Sequence, residues 1–155
     1  MNVCESILGL SPYQGGKPIE ELERELGIKN VVKLASNENP LGASPKVVEA
    51  MKLSLKEVHR YPDGNGYELK KAISENLDVA MEMISLGNGS NELLELIARV
   101  FVCKKTDEVI FSQYAFVVYP LVTQALGATA KVATAINYGH DLNCLLYTSD
   151  AADEL

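Results

Sequence analysis

Apolar positions Leu22 and Leu26, four apart between Pro18 and Gly27, predict a small amphipathic helix over residues 19–26. Residues 31–36 alternate, with β-branched valines at the start, and predict a strand feeding the polar turn Asn37-Glu38-Asn39-Pro40-Leu41-Gly42. Ser44 and Pro45 form an N-cap and first-turn pair, and Val47, Val48, Met51, Leu55 and Val58 keep helical spacing behind them, predicting a helix to about Glu57. After the turn at residues 61–66, Leu69, Ile73 and Leu77 mark a second amphipathic helix, with Lys70, Lys71 and Glu75 on its wet side. From Met83 the rhythm changes to an apolar strand at residues 83–86, a glycine-rich turn at 87–92, and a helix carrying Leu93, Leu94, Ile97 and Val100. The alternation continues with a strand from Glu108 to Ser112, a helix from Val117 to Leu126 ended by Gly127, and a strand from Thr129 to Ile136. Strands separated by helices at this spacing describe βαβ crossovers and a parallel sheet covered on both faces, so the expected fold class is α/β.

Composition narrows the function classes. The chain has 155 residues, 47% of them hydrophobic, and 14 Lys and Arg against 21 Asp and Glu give a net charge of −7. That is the profile of a soluble globular protein with one domain's worth of core. The acidic balance argues against a nucleic-acid footprint, which needs clustered bases on one face. Apolar runs are too short for a bilayer: residues 116–122 are interrupted by Tyr119 and Pro120, against a need of about 20 residues. The N-terminus has no basic region and carries Glu5 where a signal peptide is apolar, so a cytoplasmic protein is expected. Cys4, Cys103 and Cys144 are odd in number and far apart, which indicates neither a disulfide framework nor a zinc site.

Four segments carry candidate chemistry. In Gly87-Asn88-Gly89-Ser90-Asn91-Glu92 a strand ends in glycines where a helix begins, so unpaired N–H groups and the helix dipole point into one space, an anion site. The alternative is that Gly89 or Ser90 merely caps the helix. Position 92 is Glu and no Gly-Lys-Ser/Thr follows, so neither the dinucleotide fingerprint nor a P-loop is complete. Residues 112–116 lie at the C-terminal end of a strand, the edge where open α/β sheets bind ligands; Phe116 there either stacks on a planar ring or packs with Tyr119 in the core. Tyr61, before a proline, is extended, and Asn37-Glu38-Asn39-Pro40 reads by itself as an Asx turn. His59 and His140 are isolated and lack metal-ligand spacing.

In order along the chain, five segments resemble the fold type I pyridoxal-phosphate-dependent aminotransferases, and among them the histidinol-phosphate aminotransferases. They are Ser11-Pro12-Tyr13-Gln14, residues 34–42, Arg60-Tyr61-Pro62-Asp63-Gly64, residues 87–92, and residues 114–120, within a match from about Ile7 to Asn143. The resemblance implies that Gly89, Ser90 and Asn91 hold the cofactor phosphate and that Phe116 stacks on its pyridine ring. It implies that Tyr61 crosses a homodimer interface to the neighbouring subunit's cofactor phosphate. It also places Tyr13 at the substrate phosphate, and Asn37 and Asn39 at the mouth of the site. Gln113 and Tyr114 stand where many relatives carry prolines.

The implied reaction is amino transfer between histidinol phosphate and 2-oxoglutarate in histidine biosynthesis, with pyridoxal 5'-phosphate as cofactor. Close rivals are threonine-phosphate decarboxylase or an aromatic- or aspartate-type aminotransferase; a different reading is that the chain by itself is a non-catalytic module. The family's Schiff-base lysine lies downstream of the matching region, and Lys33, Lys104 and Lys131 do not occupy its motif, so no catalytic residue is expected here. On this reading residues 1–45 are an N-terminal arm and small-domain segment and residues 46–143 part of the large cofactor domain. Residues 144–155 resemble a translated sequencing adapter, a non-native tail. Without that tail, which holds Asp150, Asp153 and Glu154 and no base, the chain is only mildly acidic.

Overall fold

A computed structural model describes residues 3–13 and 15–148. Gln14 of the first motif and residues 149–155 of the expected tail lie outside the described residues. In chain order the helices and strands are α1 (Glu5–Leu8), α2 (Ile19–Leu26), α3 (Pro45–Ser54), α4 (Tyr67–Leu77), α5 (Ser90–Phe101), β1 (Glu108–Ser112), α6 (Val118–Leu126), β2 (Thr129–Ala133) and α7 (Leu142–Tyr147). Short 3₁₀ turns occupy Leu55–Glu57 and Met81–Met83. The chain divides into two compact units, Tyr13–Ile84 and Met1–Pro12 with Ser85–Leu155.

In the unit Tyr13–Ile84 the helices follow the apolar spacing. α2 has the expected bounds and stops at Gly27, whose left-handed backbone (φ 64°) lets its N–H reach the Glu23 carbonyl at 2.9 Å. α3 begins at Pro45, and Ser44 caps it with its carbonyl, which accepts from Val48 N–H at 3.1 Å, rather than with its hydroxyl. The expected strand at residues 31–36 does not form. Val32 and Leu34 face solvent, no partner strand runs beside them among the described residues, and positive φ at Ser36 and Asn37 ends the extended path. The strand expected at residues 83–86 is also absent. Met83 is taken into a 3₁₀ turn, and Ile84, although extended (φ −106°, ψ 118°), finds no neighbour to complete a ladder.

Asp63 organises the turn before α4. Its Oδ1 accepts from Asn65 N–H at 3.0 Å and its Oδ2 from Tyr67 N–H at 2.9 Å, while its carbonyl takes Gly66 N–H at 3.1 Å. The Tyr67 N–H, and then the Asn65 N–H, hold the carboxyl below the ordinary carboxylate range. A carboxyl depressed in the folded state stabilises it above the unfolded pKa, and that contribution is lost as pH falls through the folded value. The Tyr67 amide resonance is therefore expected to hold its position through mild acid and to shift only below the ordinary aspartate value of about 3.9. An NMR pH titration checks this, and a midpoint at or above that value contradicts the geometry.

The second unit contains the sheet. β1 and β2 pair in parallel, Glu108 beside Thr129 through Ser112 beside Ala133, with α6 as the crossover. Before β1, Asp107 Oδ2 accepts from Lys104 and Cys103 N–H at 2.8 Å each, which holds its carboxyl below the usual range and closes the turn into the strand. β2 ends at Ala133 rather than Ile136, because Asn137 and Tyr138 both take positive φ and turn the chain so that Ile136 bridges to Gly139. The core is small: Phe111, Val118 and Ala133 are the buried apolar residues among those described, with Ser112 and Thr123 beside them. Phe111 stacks on Tyr119 of α6 at 6.4 Å, whereas Val132 stays half exposed, so the expected cover on both sheet faces is incomplete. Among the described residues no helix is long and apolar enough to cross a membrane.

Candidate functional site

The turn into α5 has the geometry of an open helix N-terminus. Gly89 occupies the N-cap position with φ 92° and ψ 173°, a region essentially restricted to glycine, and a Cβ placed there would meet nothing within 4 Å. No side chain caps the helix, so the first-turn N–H groups that lack intrahelical acceptors keep their donors, and Ser90 and Asn91 are exposed beside them. α2, α3, α4 and α6 likewise start without a side-chain cap, so what sets the start of α5 apart is the glycine-only conformation of Gly89. Glu92, which the sequence offered only as a departure from a dinucleotide fingerprint, turns back from the third helical position to accept from Asn88 N–H. A glutamate three residues after the cap is the signal that could have found it.

Phe116 lies just beyond β1, on a segment pinned from both sides. Gln113 N–H donates to the Ala133 carbonyl at 2.8 Å and its Oε1 accepts from Ala135 N–H at 3.2 Å, while Ala115 N–H reaches the Ser112 carbonyl at 2.9 Å. The Phe116 ring is 47% exposed and lines an open cleft of about 440 Å³ with Tyr114, Tyr119, His140 and Leu142. It is thus not core-packed, unlike Phe111. Ser112 lines the same cleft, is 5% exposed, and its Oγ has no hydrogen-bond partner among the described residues, a feature that sequence reading missed. Gly89, Ser90 and Asn91 do not line this cleft.

Tyr13, Asn37, Asn39 and Tyr61 belong to the other unit. Tyr61 is fully exposed, while the backbone on either side is held: Arg60 N–H bonds to the Glu57 carbonyl, its guanidinium pairs with Glu57 at 3.0 Å, and Asp63 follows. Tyr13 is exposed. Asn37 has positive φ, and Asn39 builds an Asx turn, accepting from Leu41 N–H at 3.0 Å and donating to the Gly42 carbonyl at 3.2 Å. Lys33 is paired with Glu38, and Lys131 with Glu108 at 3.1 Å.

The family model for aminotransferase class I and II matches residues 29–154. The chain belongs to that family. This aminotransferase chain is 60% identical over 134 residues to histidinol-phosphate aminotransferase 1 of Idiomarina loihiensis, covering 86% of its own length and 36% of that protein's. It is 56% identical over 140 residues to histidinol-phosphate aminotransferase 1 of Mannheimia succiniciproducens, covering 90% and 38%. Among solved structures it is similar to histidinol-phosphate aminotransferase from Sinorhizobium meliloti in complex with pyridoxal-5'-phosphate, with a TM-score of 0.81 at 25% identity over 94% of this chain and 38% of that one. The aminotransferase chain thus spans less than two fifths of the length of these relatives, and its α/β fold is theirs.

Proposed function

We propose that this chain is the part of a histidinol-phosphate aminotransferase that holds the phosphate and ring of pyridoxal 5'-phosphate. The observation that carries the reading is Gly89, in a glycine-only conformation at the N-terminus of α5, in a chain 60% identical to a relative of that name. The residues fit the cofactor. A phosphate needs convergent donors and close backbone approach, and Gly89, Ser90 and Asn91 offer open space, first-turn N–H groups, a hydroxyl and an amide. A pyridine ring needs an accessible aromatic face, which the half-exposed Phe116 supplies.

When bound, pyridoxal phosphate supplies the electron sink that makes the substrate's α-proton labile. This chain's residues bind and orient. Gly89, Ser90 and Asn91 fix the phosphate, and Phe116 fixes the tilt of the ring, so that the reacting carbon is held in one place. Tyr61, with its ring in solvent and its backbone held, reaches a neighbouring subunit's cofactor phosphate in a homodimer. Tyr13 contacts the phosphate of histidinol phosphate, and Asn37 and Asn39 line the mouth, Asn39 by shaping the turn through its amide. The enzyme works in the cytoplasm on small molecules, histidinol phosphate and 2-oxoglutarate.

The test is the protein at the full length of its relatives, loaded with pyridoxal phosphate and given histidinol phosphate with 2-oxoglutarate. Stoichiometric glutamate is expected. No glutamate, or carbon dioxide released from threonine phosphate instead, rejects the reading.

A further inference from the structure

Gly87, Asn88 and Glu92 form a closed arrangement behind the turn into α5. Glu92 Oε2 accepts from Asn88 N–H at 2.5 Å, and Asn88 Nδ2 lies 3.3 Å from Oε2 and 3.4 Å from Oε1. A Cβ on Gly87 would stand 2.9 Å from the same Oε2 and 3.0 Å from Leu93 Cγ, so the bare glycine leaves the room that the carboxylate fills. In the usual capping box a carboxylate at the third helical position takes the N–H of the cap residue. Here it reaches one residue further back, to Asn88, and the cap residue Gly89 is left facing open space.

We propose that Glu92 is a positioning residue for the phosphate-holding turn: its carboxylate, tied to Asn88 beside a side-chain-free Gly87, holds the backbone so that the donors of residues 89–91 converge on one anion. The proposal rests on reading that turn as the cofactor-phosphate site. The tie also answers an electrostatic difficulty. A carboxylate in the first turn favours the helix but repels a phosphate at the same end. By engaging the backbone and amide donors of Asn88, Glu92 places its charge behind the turn instead of in it.

The experiment uses the protein at the full length of its relatives and three variants, Glu92→Ala, Glu92→Gln and Gly87→Ala. Hydrogen exchange of the peptide spanning residues 87–92 is followed without any phosphate, and pyridoxal phosphate and inorganic phosphate are titrated separately. Glu92→Ala is expected to speed exchange and to weaken pyridoxal phosphate binding roughly tenfold, the scale for losing a hydrogen bond to a charged acceptor. Glu92→Gln keeps an acceptor oxygen on the same carbon and is expected to restore most of both. Gly87→Ala, whose methyl takes the carboxylate's place, is expected to reproduce Glu92→Ala with Glu92 intact. Unchanged exchange in Glu92→Ala, or a Gln variant as impaired as the Ala variant, overturns the proposal. If the unaltered protein takes up no pyridoxal phosphate while Glu92→Ala still speeds exchange, the cofactor reading has failed and the tie between Glu92 and Asn88 stands.

Discussion

Replacing Gly89 by valine in the protein at the full length of its relatives is expected to weaken pyridoxal phosphate binding by about 100-fold. The backbone there, φ 92° and ψ 173°, is nearly closed to any residue with a Cβ, and forcing one into it costs on the order of 1–3 kcal/mol, more for a β-branched residue. The chain escapes that cost by changing φ at residue 89, which swings the N–H groups of the turn away from a shared target. Space is not the cause of the loss, since a Cβ at 89 meets nothing within 4 Å. The helix itself begins at Ser90 and should keep its content by circular dichroism. A cofactor titration followed by absorbance gives the affinity, and excess cofactor should recover the complex. A valine variant that binds as tightly as the unaltered protein would place the phosphate elsewhere.

The second large effect concerns the 155-residue chain expressed alone, which is expected to associate into large oligomers. Val32, Leu34, Leu41 and Met83 are 80–94% exposed, and Phe101 is 76% exposed in the other unit. Burying one such side chain gains about 1.5–3 kcal/mol, so a few of them rival the 5–15 kcal/mol by which a whole domain is usually stable. β1 and β2 pair only with each other among the described residues, so each also offers an unpaired edge to another chain. Sedimentation of the freshly purified chain, with binding of a hydrophobic dye, checks this. A soluble monomer with a single cooperative unfolding transition would contradict it, and the protein at full length should sediment no larger than the proposed homodimer and bind no dye.

The sequence was most readable where a signal is local. α2, α5 and α6 carry their apolar spacing within themselves, α2 and α6 end at the glycines that follow them, and β1, five residues with an apolar centre, has the expected bounds. It failed at residues 31–36 and 83–86, where the pattern was that of a strand. A strand exists only with a neighbour, and alternation cannot say whether one is present. The same limit applies to the site. The glycines and the small polar residues at 87–91 are a local signature of a turn into a helix, and the structure places the start of α5 there. Whether Phe116 packs inward or faces a cleft depends on what stands across from it, and the spacing of Phe116 and Tyr119 is the same in both cases. The burial of Ser112 and the backward reach of Glu92 are properties of three-dimensional neighbours, the second with a faint trace in the spacing from cap to glutamate.

The β1–α6–β2 crossover has a consequence for biosynthesis. Its parallel pairing joins Glu108 to Thr129 and Ser112 to Ala133, and everything needed to close it lies on one uninterrupted stretch of chain. Its contacts are short-range for a parallel sheet, so the loop-closure cost that slows such sheets is modest here. On the ribosome this unit can assemble as soon as Ala133 has left the exit tunnel, carrying Phe116 with it. Phe116 is thus placed early in synthesis, as soon as the two strands that flank its segment have paired.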